Sequence, residues 1–322
     1  MASPKLKPLD QQVIVITGAS SGIGLATAEL AVQKGASVVL AARSKGALND
    51  IVNRLNAAAP AGGQLALAVE CDVADRAQVE RVAQAALGAF GRIDTWVNNA
   101  GVSIYARLDE ASEADNRRLF DTNFWGVVNG SLVALAHLRG HGGALINVGS
   151  EVSDAVIPLQ AMYSASKHAV KGFTDGLRIE IEEIDQAPVS ITLVQPTAVD
   201  TPYPQHARNY MPEEPALPTP QVDPTDVARE ILDAAVRPQR VKKVGTMSHV
   251  NTTMSKLAPA LAEKMAAGYV GRQRYDEPPR NPEGALHRPG ESTGVIGRTH
   301  GTGGREKDKQ AQKATKETYK RD

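Results

Sequence analysis

A doubly wound α/β fold, with a parallel sheet of about seven strands and helices on both faces, is predicted by three observations. Short apolar, β-branched runs alternate along the chain with helical stretches. The first of those runs breaks straight into a glycine-rich loop that opens a helix. Most stretches with candidate chemistry fall at the carboxyl end of a predicted strand, where open α/β sheets hold ligands.

Taken in order, VIVIT at 13–17 is apolar throughout, as a strand buried on both faces must be. The loop at 18–24 follows, then LATAELAVQKGA, a helix ending at Gly35. SVVLAAR at 37–43 is the second strand, 46–59 a helix, LALAVECDV at 65–73 the third strand, and 75–91 a helix closed by Gly91. IDTWVNNAG at 93–101 gives strand four, and 112–140 one long helix or an interrupted pair. GALINVGS at 143–150 is strand five, the stretch around Tyr163 a helix, and VSITLVQP at 189–196 strand six. Asp223 caps a helix with Pro224 just inside it, and RVKKVGT at 240–246 forms the last strand. No internal repeat is visible.

The 322 residues can bury one large α/β core or two ordinary domains. Lysine plus arginine and aspartate plus glutamate each number 36, so the charge balance gives no footprint for nucleic acid. His137 and His141 stand four apart, but Gly140 intervenes and further ligands are lacking, so no metal is expected. Cys71 is the one cysteine; it rules out an intrachain disulfide, suits a reducing compartment and reads as a buried structural thiol. The first residues carry no apolar signal core, and no apolar run reaches membrane-spanning length, so a soluble cytoplasmic protein is expected.

Four stretches suggest a dinucleotide. In Gly18-Ala19-Ser20-Ser21-Gly22-Ile23-Gly24, glycines let the backbone turn tightly and approach a pyrophosphate held at a helix N-terminus. The second strand ends Ala42-Arg43-Ser44, with no acidic residue for a ribose 2′-hydroxyl and an arginine to pair with a 2′-phosphate, which favours NADP(H) over NAD(H). Asp72 and Val73 suit an adenine amino group and ring face, and Asn98-Asn99-Ala100-Gly101 suits a backbone passing close to the cofactor. Tyr163 and Lys167 lie one helical turn apart on one face. A phenol with a pKa near ~10 needs a neighbouring cation to act as general acid or base near neutrality.

Together these residues resemble the main branch of the short-chain dehydrogenase/reductase family, over roughly Leu9 to Gly245. The glycine loop, Asn98 to Gly101, the Asn of DTNFWG, a serine after strand five and Tyr-x-x-x-Lys stand in the family's order. The resemblance implies a Rossmann-type NADP(H)-binding catalytic domain over 1–245 and a catalytic set of Asn123, Ser150, Tyr163 and Lys167. It implies hydride transfer between NADP(H) and a carbonyl or secondary alcohol. Tyr163 would be the general acid/base, Ser150 would hold the substrate oxygen, Lys167 would bind the nicotinamide ribose, and Asn123 would support a water path. Family spacing selects Ser150 over Ser153. Pro196, Val199 and Thr201 fall around the nicotinamide, while Thr197 departs from the family's usual glycine. A homodimer or homotetramer is expected.

Substrate contacts are assigned to Ser150, Tyr163, Val156 and Met162, with Ile157, Pro158 and Leu159 nearby; the pocket is expected to be partly apolar. Proline-rich 202–221 reads as a semi-rigid lid. Residues 246–304 form a helical and irregular extension, with Val250, Met254, Leu257, Leu261 and Met265 at helical spacing for packing on the core or a neighbouring subunit. Its glycine- and proline-rich end, 280–304, is expected to wander over the surface. The charged tail 305–322 is expected to be disordered. An epimerase or dehydratase on the same scaffold, a catalytically silent redox sensor, and an interaction protein working through the tail are the rival readings.

Overall fold

A computed structural model describes residues 4–58, 65–290 and 294–297. Strand β1 (Val13–Thr17) leads into helix α1 (Gly22–Gln33), β2 (Ser37–Ala42) into α2 (Lys45–Ala57), and β3 (Ala66–Glu70) into α3 (Arg76–Phe90). After β4 (Thr95–Asn98) come a two-residue strand β5 (Ile104–Tyr105), helix α4 (Glu113–Phe120), a π-helical turn over Asp121–Trp125 and α5 (Gly126–His141). Then follow β6 (Gly143–Val148), α6 (Ala161–Arg178), β7 (Val189–Pro196), α7 (Tyr203–His206), β8 (Arg208–Asn209), α8 (Pro224–Ala234) and β9 (Val241–Val244). The extension adds α9 (Thr246–Leu257) and α10 (Pro259–Ala267).

The seven strands expected from the sequence form one parallel sheet in the order β3-β2-β1-β4-β6-β7-β9. This is the Rossmann-type, doubly wound arrangement. The strand order reverses between β1 and β4, which places a crevice at their carboxyl ends. Alternation along β1 divides the core. Ile14 and Ile16 face the layer that holds Leu25, Leu48 and Ile231, while Val15 faces Val82, Leu135 and Ile181. Capping fixes the helix starts. Asp75 accepts from the amides of Ala77 and Gln78, and Asp223 accepts from Thr225 with Pro224 in the first turn.

Two features depart from the strand-and-helix reading. The 202–221 segment carries α7 and β8, and β8 pairs in parallel with β5 beside the sheet's carboxyl edge. The pairing and the burial of Ala207 and Ala216 make it a packed cover over that edge. The described part of 280–304 does not wander. Leu286 is fully buried, and the backbone at 285–286 is bonded to Arg43 and Arg118. On α9 and α10, Val250, Leu257 and Leu261 stay exposed, so their helical spacing is not used on this chain's own core. Residues 305–322 lie outside the described residues. Among the described residues, no helix is long and apolar enough to cross a membrane.

A buried polar chain fastens β4 to its neighbours. Trp96 Nε1 donates to Asn98 Oδ1 at 2.9 Å, Asn98 Nδ2 donates to Asn147 Oδ1 at 2.9 Å, and Asn147 Nδ2 donates to Thr174 Oγ1 at 2.9 Å. Asn98 therefore faces the protein interior, and Asn99 alone of the pair faces the crevice. Asn98→Ala leaves the Trp96 indole donor unsatisfied and Asn147 Oδ1 with only the long 3.5 Å bond from Ser131 Oγ, a loss of about 2–4 kcal/mol in urea denaturation. A loss under ~1 kcal/mol would show that the network relaxes instead.

Candidate active site

The glycine loop is built as the chemistry of a close approach requires. Gly18 and Gly22 have φ of 65° and 53°, in the left-handed region that side chains avoid. A Cβ on Gly24 would stand 2.3 Å from the carbonyl oxygen of Gly18, so this glycine serves the packing of α1 against the loop. Thr17 ties the two sides of the crevice together. Its hydroxyl accepts from the amides of Asn99 at 3.0 Å and Ala100 at 3.1 Å, while Asn99 Nδ2 donates to the Thr17 carbonyl at 2.9 Å.

Gly18, Ser20, Ser21, Gly22 and Ile23 line a cavity of about 190 Å3. Arg43, Asp72, Val73, Asn99, Ala100 and Gly101 line it too. A second cavity, of about 150 Å3, is lined by Ser150, Tyr163, Lys167, Pro196 and Val199. The two share Ile23, Asn99, Gly101, Thr201 and Tyr203, so they run into one another. A glycine loop, free space and a run of polar atoms leading to Tyr163 fit an extended dinucleotide. The predicted cofactor residues are thus brought together, apart from Gly24, which lies behind the wall.

Arg43 stands in this groove with its guanidinium already engaged. It donates to the carbonyl of Ala285 and, at 3.0 Å, to that of Leu286. Arg118 donates to the same Leu286 carbonyl at 3.3 Å and pairs with Asp72. Burial, then repulsion from Arg118, lowers the Arg43 pKa. Two guanidiniums therefore meet near the end of β2, with the 285–290 segment closing over them. Cys71 lies in the same groove; burial and the Asp72 charge push its thiol up to about 12, so it stays protonated.

Helix α6 carries Tyr163 and Lys167. Lys167 is 4% exposed and donates to the carbonyl of Val148, at the end of β6, at 2.9 Å. Its Nζ lies 5.7 Å from the centroid of the Tyr163 ring. Burial lowers its pKa to about 8. The Tyr163 hydroxyl is pushed up to about 12, chiefly by burial; hydrogen bonds with Tyr203 and Ser150 pull it back, and the Glu151 charge raises it. This reverses the expectation that the neighbouring ammonium lowers the phenol. Desolvation is the larger effect, and the ammonium is directed at Val148.

Ser150 caps the turn Glu151–Ser153, and its amide donates to Ser153 Oγ at 3.2 Å. Ser153 thus holds Ser150 in place. Asn123 sits in the π-helical turn, a frequent deformation at functional sites. It clamps Val102, accepting from its amide at 2.8 Å and donating to its carbonyl at 2.9 Å, and it donates to Ser166 Oγ at 3.1 Å. It lines neither cavity; it fixes the Gly101–Val102 backbone against α6.

A larger cavity of about 460 Å3 adjoins the one that holds Tyr163 and is lined by Val156, Ile157, Pro158, Met247, Met254 and Met265. Val156 is where a substrate contact was predicted. Met162 lines none of the three cavities, because one helical step from Tyr163 turns it about 100° away. Leu159 packs instead with Tyr105 and Met211. Sequence reasoning missed Glu151, Gln160, Tyr203, Arg118 and Asn251. Tyr203 follows Thr201 closely enough to have been found. The others are joined to the site only by the fold.

A crevice at the strand-order reversal, a glycine loop and a Ser-Tyr-Lys cluster define a dinucleotide-dependent oxidoreductase of the short-chain class. The short chain dehydrogenase family model matches residues 12–211, and the chain belongs to that family. The uncharacterized oxidoreductase YxnA of Bacillus subtilis (strain 168) is 43% identical over 288 residues, spanning 88% of this chain and 80% of that protein. A short chain dehydrogenase/reductase from Burkholderia phymatum, solved in complex with NAD, superposes with a TM-score of 0.70 at 30% identity, covering 80% of this chain and 96% of that one. An alcohol dehydrogenase from the archaeon Thermococcus sibiricus, complexed with 5-hydroxy-NADP, gives 0.61 at 28% identity, covering 72% and 94%.

Gly24→Ala tests the loop. The added carbon meets backbone, so dinucleotide affinity, read by fluorescence titration with the reduced cofactor, is expected to fall at least ~10-fold. Wild-type affinity would mean that the Gly18 turn does not form the binding surface.

Proposed function

We propose that this oxidoreductase interconverts a carbonyl and a secondary alcohol with NADP(H), using Tyr163 as general acid/base. The observation that carries the reading is the convergence of the Tyr163 and Ser150 hydroxyls and the Lys167 side chain in the cavity that joins the dinucleotide groove. Bound NADP(H) supplies or accepts the hydride. Gly18 to Ile23, Asn99 to Gly101 and Thr201 would hold it, with Lys167 toward the ribose and Pro196 and Val199 toward the ring. Preference for NADP(H) is supported by Arg43 and Arg118 and by the absence of an acidic residue at the end of β2. The two dinucleotide-bound relatives, one with NAD and one with an NADP derivative, are compatible with either choice.

In reduction, Tyr163 gives its hydroxyl proton to the oxygen that gains charge, and Ser150 donates a hydrogen bond to that oxygen, an electrostatic role. A phenol held near 12 is protonated at neutral pH, which suits a proton donor. Lys167 keeps a positive charge beneath it while the pH stays below about 8. Asn123 keeps Gly101 and Val102 in place beside that ammonium. The adjoining apolar cavity favours a lipophilic ketone or alcohol.

Tyr163→Phe is expected to lower NADPH-dependent turnover of a carbonyl panel at least ~10²-fold while leaving NADPH affinity within a few-fold. Unchanged turnover would refute the assignment. The pH profile is an independent check. Loss of the Lys167 proton removes the cation, so the reduction rate should be level below pH 8 and fall as pH rises through about 8. A rate level to pH 10 would contradict the role of Lys167.

A further inference from the structure

A polar cluster stands where the catalytic cavity meets the apolar one. Glu151 directly follows Ser150 and lines both cavities. Its Oε2 accepts from Asn251 Nδ2 at 3.0 Å, and the Thr197 side chain bonds the same carboxylate. The three residues come from the turn after β6, the turn after β7 and helix α9 of the extension. Thr197 is the position where a glycine was expected. Gly245, at φ 89°, makes room for it, since a Cβ there would lie 2.6 Å from Thr197 Cγ2. A departure in the chain, the glycine that accommodates it and the added helix thus meet at one carboxylate.

An ionised carboxylate offers about four acceptor sites, and the Asn251 and Thr197 side chains satisfy part of them. Glu151 faces apolar neighbours that include Ile157, Pro218 and Met254. A carboxylate withdrawn from water needs donors or a cation to offset desolvation. Asp154, in the same wall, already has them: it accepts from Gln195 Nε2 at 2.8 Å and pairs with Lys256 at 3.1 Å. Glu263 is exposed to water. Glu151 has no salt-bridge partner among the described residues, and its charge is close enough to act on the Tyr163 hydroxyl.

We infer that Glu151, braced by Thr197 and Asn251, is the recognition carboxylate of the substrate site, taking a hydroxyl or ammonium group that an otherwise apolar substrate carries a few atoms from its reacting carbon. This rests on the assignment of Tyr163 and Ser150 to that carbon. Burial raises the Glu151 pKa above the ordinary carboxylate value, and the hydrogen bonds of Asn251 and Thr197 oppose part of that rise. The apolar cavity then takes the hydrocarbon body. A second acidic group on the substrate would be repelled.

The test uses the full-length protein and a matched series of cyclohexanones, unsubstituted or bearing a hydroxyl, amino or carboxylate group at ring position 3 or 4. Two quantities are read: kcat/KM for NADPH-dependent reduction, and calorimetric affinity for the NADP-saturated protein. In wild type, the hydroxy or amino ketone is expected to exceed the parent at least ~10-fold in both, with the carboxylate weakest. In Glu151→Leu the ratio should fall to near unity; the isosteric Glu151→Gln should lose the amino preference and keep part of the hydroxyl preference. Equal ratios in wild type, Glu151→Gln and Glu151→Leu would overturn the inference, even if every ketone is reduced. A ranking of affinities that depends on Glu151 with no ketone reduced would uphold the recognition and overturn the redox assignment.

Discussion

A lysine ammonium buried beneath the crevice is the constraint on which the site depends. Lys167 reaches the end of β6 and gives a hydrogen bond to the carbonyl of Val148. Burying that charge is unfavourable, because few groups replace the water it loses. Burial lowers its pKa from 10.5 to about 8, so folding carries the cost below pH 8, and the cost fades as pH rises from 8 toward 10.5. The Val148 carbonyl is the hydrogen-bond partner the fold gives the ammonium, and the Gly101 backbone lies beside it: a Cβ on Gly101 would be 3.8 Å from Nζ.

The sheet supplies this arrangement through topology. The reversal of strand order between β1 and β4 leaves their carboxyl ends parted, and the Thr17 hydroxyl bridges the gap to Asn99 and Ala100. The two loops that face the groove are thus held in register by one side chain. The Tyr163 phenol then sits in the next cavity with two other hydroxyls, those of Ser150 and Tyr203, bonded to it. Burial raises the phenol while it lowers the lysine, so near neutrality both keep their protons. That pairing suits proton donation to a carbonyl oxygen.

Much of this was legible in the chain because its signals are local. The β-branched runs gave the strands, Asp223-Pro224 gave a helix start, and the glycine loop and Tyr163 to Lys167 gave the groove and the cluster at its end. What was not legible depends on long-range approach. Asn98 and Asn99 are neighbours with the same chemistry, and strand pleating alone sends one inward and the other into the crevice. Met162 is a hydrophobic residue beside the tyrosine, turned aside by a single helical step. The 285–286 backbone reaches Arg43 across most of the chain from a stretch without hydrophobic periodicity, so no pattern announced it. The direction of the phenol's pKa shift is hidden from the sequence for a related reason. Sequence spacing shows that a cation is near, and says nothing about how much water both groups have lost.

The most direct measurement of the central claim is to reduce a responsive ketone with NADPH carrying deuterium at the transferring C4 position and to analyse the product alcohol by mass spectrometry and NMR. One deuterium on the carbinol carbon per NADPH consumed is expected, with the hydroxyl proton taken from solvent and the reaction slowed at least ~10²-fold in Tyr163→Phe. Product formed without deuterium at that carbon, or without net consumption of NADPH, would contradict it.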